Sequence, residues 1–158
     1  MSLTQFTQLA AVIAVMGVAV VYGTDVFCAV VLRPALARVD DRALTAVTGY
    51  VHRYGDRRMP IPGAIGVAAA AASAALAALA ADWARAIPAG IAVVLLLIWL
   101  VLYARVSAPI NRQLTAAADS GQTPSNVRVL QADWDRIINA RATLQGLAVA
   151  ALCLTLIA

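Results

Sequence analysis

Four long apolar runs constrain this chain more than any other feature of its sequence. They cover about residues 9–32, 61–81, 87–106 and 142–158, and runs of this length can cross the hydrocarbon core of a bilayer. A soluble core of 158 residues does not need an apolar share of 63% with only 13% charged residues. The sequence therefore predicts an all-α integral membrane protein, with residues 1–158 forming one up-down bundle of four spans.

The arginines lie in the connections between these runs. Six lie between residues 33 and 58, one is Arg85, and five lie between residues 105 and 141. The positive-inside rule then places the first and third connections in the cytoplasm and both termini outside it, in a multi-pass protein of the cell membrane. Because the positive charges flank spans instead of forming one patch, the net charge of +4 does not indicate nucleic-acid binding.

One acidic residue, Asp25, lies inside the first apolar run, about two turns before Arg33. An ionisable group at that depth is costly, so we expect Asp25 or Asn111 to pair with an arginine of a neighbouring helix. Arg141 is the first choice because it should lie at a similar depth. A structural hydrogen bond, snorkelling of Asp25 to the headgroups and a functional role all remain alternatives.

The first connection contains a short amphipathic helix that we expect to end at Gly55. Its apolar stripe is formed by Leu44, Val47, Val51 and Tyr54. His52 lies off this stripe, beside two threonines, which is typical of a solvated interfacial histidine. The alternative is a base or ligand turned towards the mouth of the bundle, since His52 is the only side chain here expected to titrate near neutrality.

The second and third spans carry two different helical faces. Small residues share one face of the second span and predict close helix packing: Gly63, Gly66, Ala70, Ser73, Ala74 and Ala77. In the third span, Trp99 and Tyr103 are four residues apart and so share a face. That aromatic face indicates either an interfacial belt or the wall of a pocket for an aromatic substrate.

The stretch of residues 105–145 holds more polar chemistry than a connector needs. From Val127 onward its apolar residues recur at spacings of three and four, which predicts a helix that begins at Ser125 or Asn126. This helix, over residues 126–141, should continue into the last span. Trp134 and Arg141 are seven residues apart and therefore lie on the same face.

Several short motifs resemble the anthrone oxygenase-like family of small four-helix membrane proteins. In the second half these are residues 109–114 (PINRQL), Trp134 with its flanking charges, and residues 139–144 (NARATL) before the last apolar run. In the first half, Gly23 and residues 33–36 (RPAL) are similar to the same family. The resemblance implies a four-helix membrane fold and the oxidation of a phenolic tricycle to a quinone with O₂, without an evident cofactor.

The residues and the resemblance together suggest a membrane-embedded oxygenase for a lipophilic aromatic substrate. Its base would be His52, or an Asp25 carboxyl whose charge is disfavoured by burial, while Arg141, Asn111 and Trp134 hold the developing oxyanion and the ring. Tyr103 and Trp99 would add aromatic surface to the substrate pocket. The other hypothesis is a non-catalytic membrane protein for small-molecule binding or assembly, in which arginine–aspartate pairs only lock the helices.

The expected partners and cofactors follow from the same residues. A single histidine, no glutamate and no paired cysteines leave too few ligands for the usual zinc or haem sites, so no metal site or cofactor is predicted. O₂ would be the co-substrate, and Asp25 with His52 leaves a labile metal ion as an alternative. The expected partners are the lipid bilayer and a lipophilic small molecule, and a homo-oligomer is an open alternative.

Overall fold

The structure, a computed structural model, describes residues 2–158 and contains only helices and their connections in that range. We number the α-helices in chain order: α1 (Leu3–Phe27), α2 (Arg33–Leu36), α3 (Asp41–Arg58), α4 (Pro60–Leu79), α5 (Trp83–Leu102), α6 (Ala108–Ser120) and α7 (Val127–Ile157). Two π-helical turns interrupt this series, the first at Cys28–Leu32 and the second at Tyr103–Ser107.

Four helical segments are long and apolar enough to cross a membrane, and they confirm the predicted all-α bundle of four spans. They are Leu3–Leu36, Pro60–Leu79, Trp83–Ser120 and Val127–Ile157. The first helix begins at Leu3, before the expected Leu9, because Ser2 and Gln5 form a capping box at its start. The helical segments of the first and third spans also extend beyond the expected apolar runs, to Leu36 and Ser120.

The four spans form a ring in the order α1, α4, α5, α7, with an interior of small and branched side chains. Ala14, Val18, Ala70, Leu96, Ala148 and Leu152 belong to this core. Successive spans are antiparallel, so the start of α1 and the end of α7 lie at one end of the bundle. The two connections that contain α3 and α6 lie at the other end.

Helices α1 and α4 are in close backbone contact. A Cβ atom added at Gly17 would lie 2.8 Å from the backbone nitrogen of Gly66, so only glycines allow this approach. Nearer the terminal end, the hydroxyl of Ser73 donates to the carbonyl oxygen of Thr7 at 3.0 Å. The small-residue face of the second span is therefore a packing face, as its composition predicts.

Helices α3 and α6 pack on each other and form a layer that we call the cap. A Cβ atom at Gly49 would lie 2.6 Å from the carbonyl oxygen of Leu114, which shows how closely the two helices approach. The hydroxyl of Thr115 donates to the carbonyl oxygen of Gly49 at 3.2 Å. The cap therefore covers one end of the bundle as a packed unit instead of a loose loop.

The orientation of α3 differs from the one its apolar stripe suggests. Its buried residues are Leu44, Thr45, Thr48, Gly49 and His52, whereas Val47, Val51 and Tyr54 of the stripe are exposed. An apolar face of a membrane protein can be covered by lipid, so it does not have to face the protein interior. The helix also runs three residues past Gly55, to Arg58.

Each π turn lies directly before a helix that contains proline at its second position. The N–H of Arg33, just before Pro34, donates to the carbonyl oxygen of Cys28, five residues back. Ala108, just before Pro109, donates in the same way to Tyr103. Because proline has no N–H and its ring clashes with the carbonyl four residues back, the wider turn lets each chain continue as a helix.

Candidate functional site

A cavity of about 300 Å³ lies between the four spans and the cap, at the lower end of the range of small-molecule pockets. All seven helices contribute to its wall. The residues that the sequence singled out as site candidates all line this one cavity: Asp25, His52, Trp99, Tyr103, Asn111, Trp134 and Arg141. The fold thus brings together side chains that lie up to 116 residues apart in the sequence.

A buried ion pair between α1 and α7 forms part of the wall. Nη2 of Arg141 donates to Oδ1 of Asp25 at 2.9 Å, and Nε2 of Gln145 donates to Oδ2 of Asp25 at 2.6 Å. Nη1 of Arg141 donates to the hydroxyl of Ser107 at 2.8 Å. This confirms the predicted Asp25–Arg141 pair, and snorkelling of Asp25 to the headgroups is wrong because only 4% of its surface is exposed.

Two aromatic rings hold the guanidinium group of Arg141. Its central carbon lies 5.6 Å from the centroid of Tyr103 and 5.8 Å from that of Trp134. At these distances, a cation interacts favourably with the ring faces. Both terminal nitrogens of this group donate hydrogen bonds, whereas its Nε has no hydrogen-bond partner among residues 2–158. The positive charge of the cavity is therefore fixed in position.

His52 lies in the cavity wall with its ring against Trp134, at a centroid distance of 5.3 Å. Only 7% of His52 is exposed, so the solvated interfacial histidine is wrong as an interpretation. Burial lowers the pKa of His52 to about 4. The negative charge of Asp56 acts in the opposite direction, and the positive charge of Arg141 makes a smaller contribution that also lowers the pKa. The imidazole is therefore neutral at pH 7, and its Nε2 has no hydrogen-bond partner within the described chain.

A chain of hydrogen bonds links the cap to the bundle beside His52. The hydroxyl of Tyr103 and Nδ2 of Asn111 both donate to Oδ1 of Asp56, each at 2.9 Å. Nε1 of Trp134 then donates to Oδ1 of Asn111 at 3.0 Å. Asn111 thus contacts an acid and an indole, and not the arginine that we considered as a partner. Its amide orientation is fixed because it both donates and accepts.

Sequence reasoning did not single out Asp56, Ser107 or Gln145, which complete these networks. A signal for Asp56 was present, because it follows His52 by four residues and so shares its helix face. Gln145 has the same spacing from Arg141. Ser107 had no such signal, because its position depends on the second π turn.

Trp99 lies in the interior of the bundle, where 8% of its surface is exposed. Its ring stacks on that of Tyr103 at 6.3 Å with an angle of 23° between the planes. Its Nε1 makes no hydrogen bond to a described residue. The structure therefore places Trp99 in the pocket wall and not in an interfacial belt.

The hypothesis of a labile metal ion between Asp25 and His52 fits this geometry poorly. Both carboxylate oxygens of Asp25 already accept hydrogen bonds from Arg141 and Gln145, and a metal ion would have to displace these donors. Residues 2–158 also contain no group of three or more histidine, cysteine or acidic side chains close enough to share an ion.

The cavity combines apolar walls, a fixed guanidinium charge, a neutral imidazole and three aromatic rings. Such a set is suited to a flat lipophilic molecule with an oxygen that carries or develops negative charge. No protein-family model, curated protein or solved structure matches the chain.

Proposed function

We propose that this protein is a membrane-embedded oxygenase that uses O₂ to oxidise a lipophilic aromatic substrate of the anthrone or phenolic polyketide type. The observation that carries the proposal is the neutral, unpartnered imidazole of His52 in the same apolar wall as the Arg141 charge. The resemblance of the PINRQL and NARATL motifs to the anthrone oxygenase-like family supplies the reaction type.

In the proposed reaction, His52 removes a proton from a CH₂ group that is activated by the aromatic rings and an adjacent carbonyl. The resulting carbanion is delocalised onto the substrate oxygen and adds O₂ to give a peroxide anion. The protonated His52 returns its proton, and the hydroperoxide loses water to leave a carbonyl group. One CH₂ group and one O₂ thus yield one C=O group and one water, so the reaction requires no external reductant and no resident cofactor.

The charges of the cavity support this proton transfer. Burial makes His52 a weak base, but a developing oxyanion beside it raises the pKa of the imidazole and so favours the protonated form. The guanidinium of Arg141 stabilises the same oxyanion through its field. Trp134, Tyr103 and Trp99 provide ring surfaces for the substrate, and Asn111 fixes Trp134 through its hydrogen bond.

The proposed location is the cell membrane, with the cap end in the cytoplasm. Eleven of the twelve arginines lie within residues 33–58 and 105–141, the two stretches that include α3 and α6, whereas the α4–α5 hairpin region carries only Arg85. The positive-inside rule then leaves both termini on the opposite side of the membrane. A lipophilic substrate would reach the cavity from the bilayer, because α4 contributes the apolar residues Ala64 and Val67 to its wall.

One observation favours a second candidate function, a non-catalytic membrane protein that binds the same class of small molecule. Both terminal nitrogens of Arg141 already donate to Asp25 and Ser107, as expected of an arginine that locks helices together. In that case, the cavity would bind an aromatic ligand without turning it over.

Oxygen uptake by the purified protein in detergent tests the proposal, with an anthrone as substrate and quinone formation followed by absorbance. We expect His52→Ala to reduce turnover by about 10²–10⁴-fold, as for the loss of a general base. Val47→Ala, an exposed position of the same helix, is the matched control and should keep wild-type turnover.

Unchanged turnover in His52→Ala would remove His52 from the mechanism. A wild-type protein that binds the anthrone, as seen by quenching of tryptophan fluorescence, but consumes no O₂ would favour the binding function.

A further inference from the structure

A second cavity of about 630 Å³ lies outside the candidate site, between the end of the first span and the start of α7. Arg33 and Ala37 line one side of this groove, and Arg128, Asp135 and Asn139 line the other. Gln131 lies between the groove and the candidate site and lines both cavities. The groove is therefore a distinct binding space that shares one wall with the site.

Two charges of opposite sign in the groove, those of Arg33 and Asp135, form no ion pair with each other. Neither Arg33 nor Asp135 forms a salt bridge within 4.0 Å among residues 2–158, although their charges lie near enough to interact. The carboxylate of Asp135 is held at Oδ1 by Nε2 of Gln131 at 2.8 Å. A fixed acid and a separate cation thus line one space without contacting each other.

Arg128 adds a second positive charge whose position is fixed by the backbone of the first connection. Its Nε forms an ion pair with Oδ1 of Asp41 at 2.7 Å, its Nη1 donates to the carbonyl oxygen of Leu36 at 3.3 Å, and its Nη2 donates to that of Val39. The positive part of the groove therefore contains two arginines. Arg33 has no ion-pair partner among the described residues, whereas Arg128 is paired with Asp41 and keeps one N–H on each terminal nitrogen for a ligand.

The depth of the groove corresponds to the lipid headgroups. Arg33 directly follows the first apolar run, and arginines at such positions usually contact the headgroup region. Below it, Val30 and Val31 are 67% and 51% exposed, as expected of side chains that face acyl chains. A ligand whose polar part occupies the groove can therefore have an apolar part that runs along the first span.

We propose that this groove binds the headgroup of a zwitterionic aminophospholipid, a phosphate joined to a primary ammonium group. The phosphate is held by Arg33 and Arg128, since guanidinium groups bind phosphate oxygens through charge-assisted hydrogen bonds. The ammonium donates to the carboxylate of Asp135, and the acyl chains lie against Val30 and Val31. The proposal does not depend on the function proposed for the neighbouring cavity.

Native mass spectrometry of the delipidated protein in detergent tests this assignment with three lipids that have equal acyl chains. Phosphatidylethanolamine carries both groups, phosphatidylcholine lacks ammonium hydrogens, and phosphatidylglycerol lacks the cation. We expect phosphatidylethanolamine to bind about tenfold more tightly than either of the others, which corresponds to the gain of one charge-assisted contact. Equal affinity for all three lipids would overturn the proposal.

Two variants test the phosphate contact and the ammonium contact of the headgroup separately. Arg33→Gln should weaken all three phospholipids about tenfold, and Asp135→Asn should abolish the preference for phosphatidylethanolamine over phosphatidylcholine. Arg136→Gln and Asp133→Asn, an exposed pair on the same helix, are the matched controls and should bind like wild type. Gln131 is left unchanged because it also lines the candidate site. A preference that survives Asp135→Asn would exclude this acid as the ammonium ligand.

Soluble glycerophosphoethanolamine distinguishes a lipid from a free phosphoamine as the ligand. It carries the same charged groups without acyl chains, so we expect it to displace the lipid only at much higher concentration. If it binds as tightly as the lipid does, the groove is a site for a soluble phosphoamine and the lipid assignment is wrong. The wild-type comparisons need no variant, so they decide the question even if a substitution prevents folding.

Discussion

Arg141 and Asp25 lie 116 positions apart in the sequence, yet Nη2 of Arg141 donates to Oδ1 of Asp25 at 2.9 Å inside the bundle. The pair joins the first and last spans at the level where the cavity meets the cap. Removing one partner would leave a buried charge without a counterion, which is far more costly than losing a surface ion pair.

We therefore expect Arg141→Asp to destabilise the protein by about 3–5 kcal/mol, because it places two carboxylates at the same buried position. Arg58→Asp, at an exposed position of α3, is the control and should have little effect. Unfolding of both variants in detergent with increasing sodium dodecyl sulfate measures the difference. Equal destabilisation by the two substitutions would contradict a buried pair.

The titration of His52 should reflect its burial. Its pKa is lowered from 6.5 to about 4 in the folded protein, so the unfolded state binds a proton first as the pH falls. The free energy of unfolding should therefore decrease between about pH 6.5 and 4, and the His52→Gln variant should lack this contribution. Because the chain has one histidine, a single imidazole signal in the NMR spectrum of the tag-free protein reports the midpoint directly. A midpoint near 6.5 would show that His52 is solvated.

The contact of α1 with α4 should tolerate no side chain at Gly17. Gly17→Ala places a Cβ atom 2.7 Å from the carbonyl oxygen of Pro62, and backbone atoms cannot move aside cheaply. We expect a loss of about 1–3 kcal/mol, typical of overpacking. Gly23→Ala on the same helix meets no atom within 4 Å and should be neutral or slightly stabilising. Thermal unfolding of the two variants in one detergent compares them, and a neutral Gly17→Ala would refute the close contact.

Asn111 should matter for stability apart from any role in binding. Asn111→Ala leaves Nε1 of Trp134 without its acceptor in a buried position, which costs about 1–3 kcal/mol. It should also blue-shift the tryptophan emission, because the indole loses a polar neighbour. Asn126→Ala is the control, since that side chain makes no capping hydrogen bond. Indistinguishable spectra and stabilities would mean that the Trp134–Asn111 bond contributes nothing measurable.

The orientation of the bundle is open to a direct test with reporter fusions. Alkaline phosphatase fused after Ala158 should be active, and a green fluorescent protein at the same position should be dark, because both termini are expected outside the cytoplasm. Insertions after Gly121, between α6 and α7, should give the opposite pair of results. A reporter that is active at Ala158 only in the cytoplasm would reverse the proposed orientation.

Hydropathy and the cost of buried charge made the fold and the central ion pair predictable. Four apolar runs leave few alternatives to a helical bundle, and an acid within one of them needs a partner at the same depth. Arg141 was the first choice of partner because it should lie at a depth similar to that of Asp25. The roles assigned to these residues in binding or catalysis stay predictions.

The environment of His52 was not predictable from the same pattern. The apolar stripe of α3 indicates which side of the helix avoids water, but in a membrane protein that side can face lipid instead of the core. The two threonines beside His52 satisfy their own hydroxyl groups, since Thr45 donates to the carbonyl oxygen of Asp41 and Thr48 to that of Leu44. This local bonding lets a polar face be buried, so the periodicity of α3 indicated neither the burial of His52 nor the position of Asp56 beside it.

The second π turn, at Tyr103–Ser107, makes the site sensitive to the length of the chain as well as to its composition. One residue of an α-helix corresponds to a rotation of about 100°, so a deletion that restores α-helical winding there would turn everything downstream about the helix axis. Asn111 would then leave Asp56 and Trp134 although its identity is unchanged. In a chain of this kind, deleting one residue from the π turn rotates the helix that follows it. Two sequences with the same site residues therefore need not have the same site.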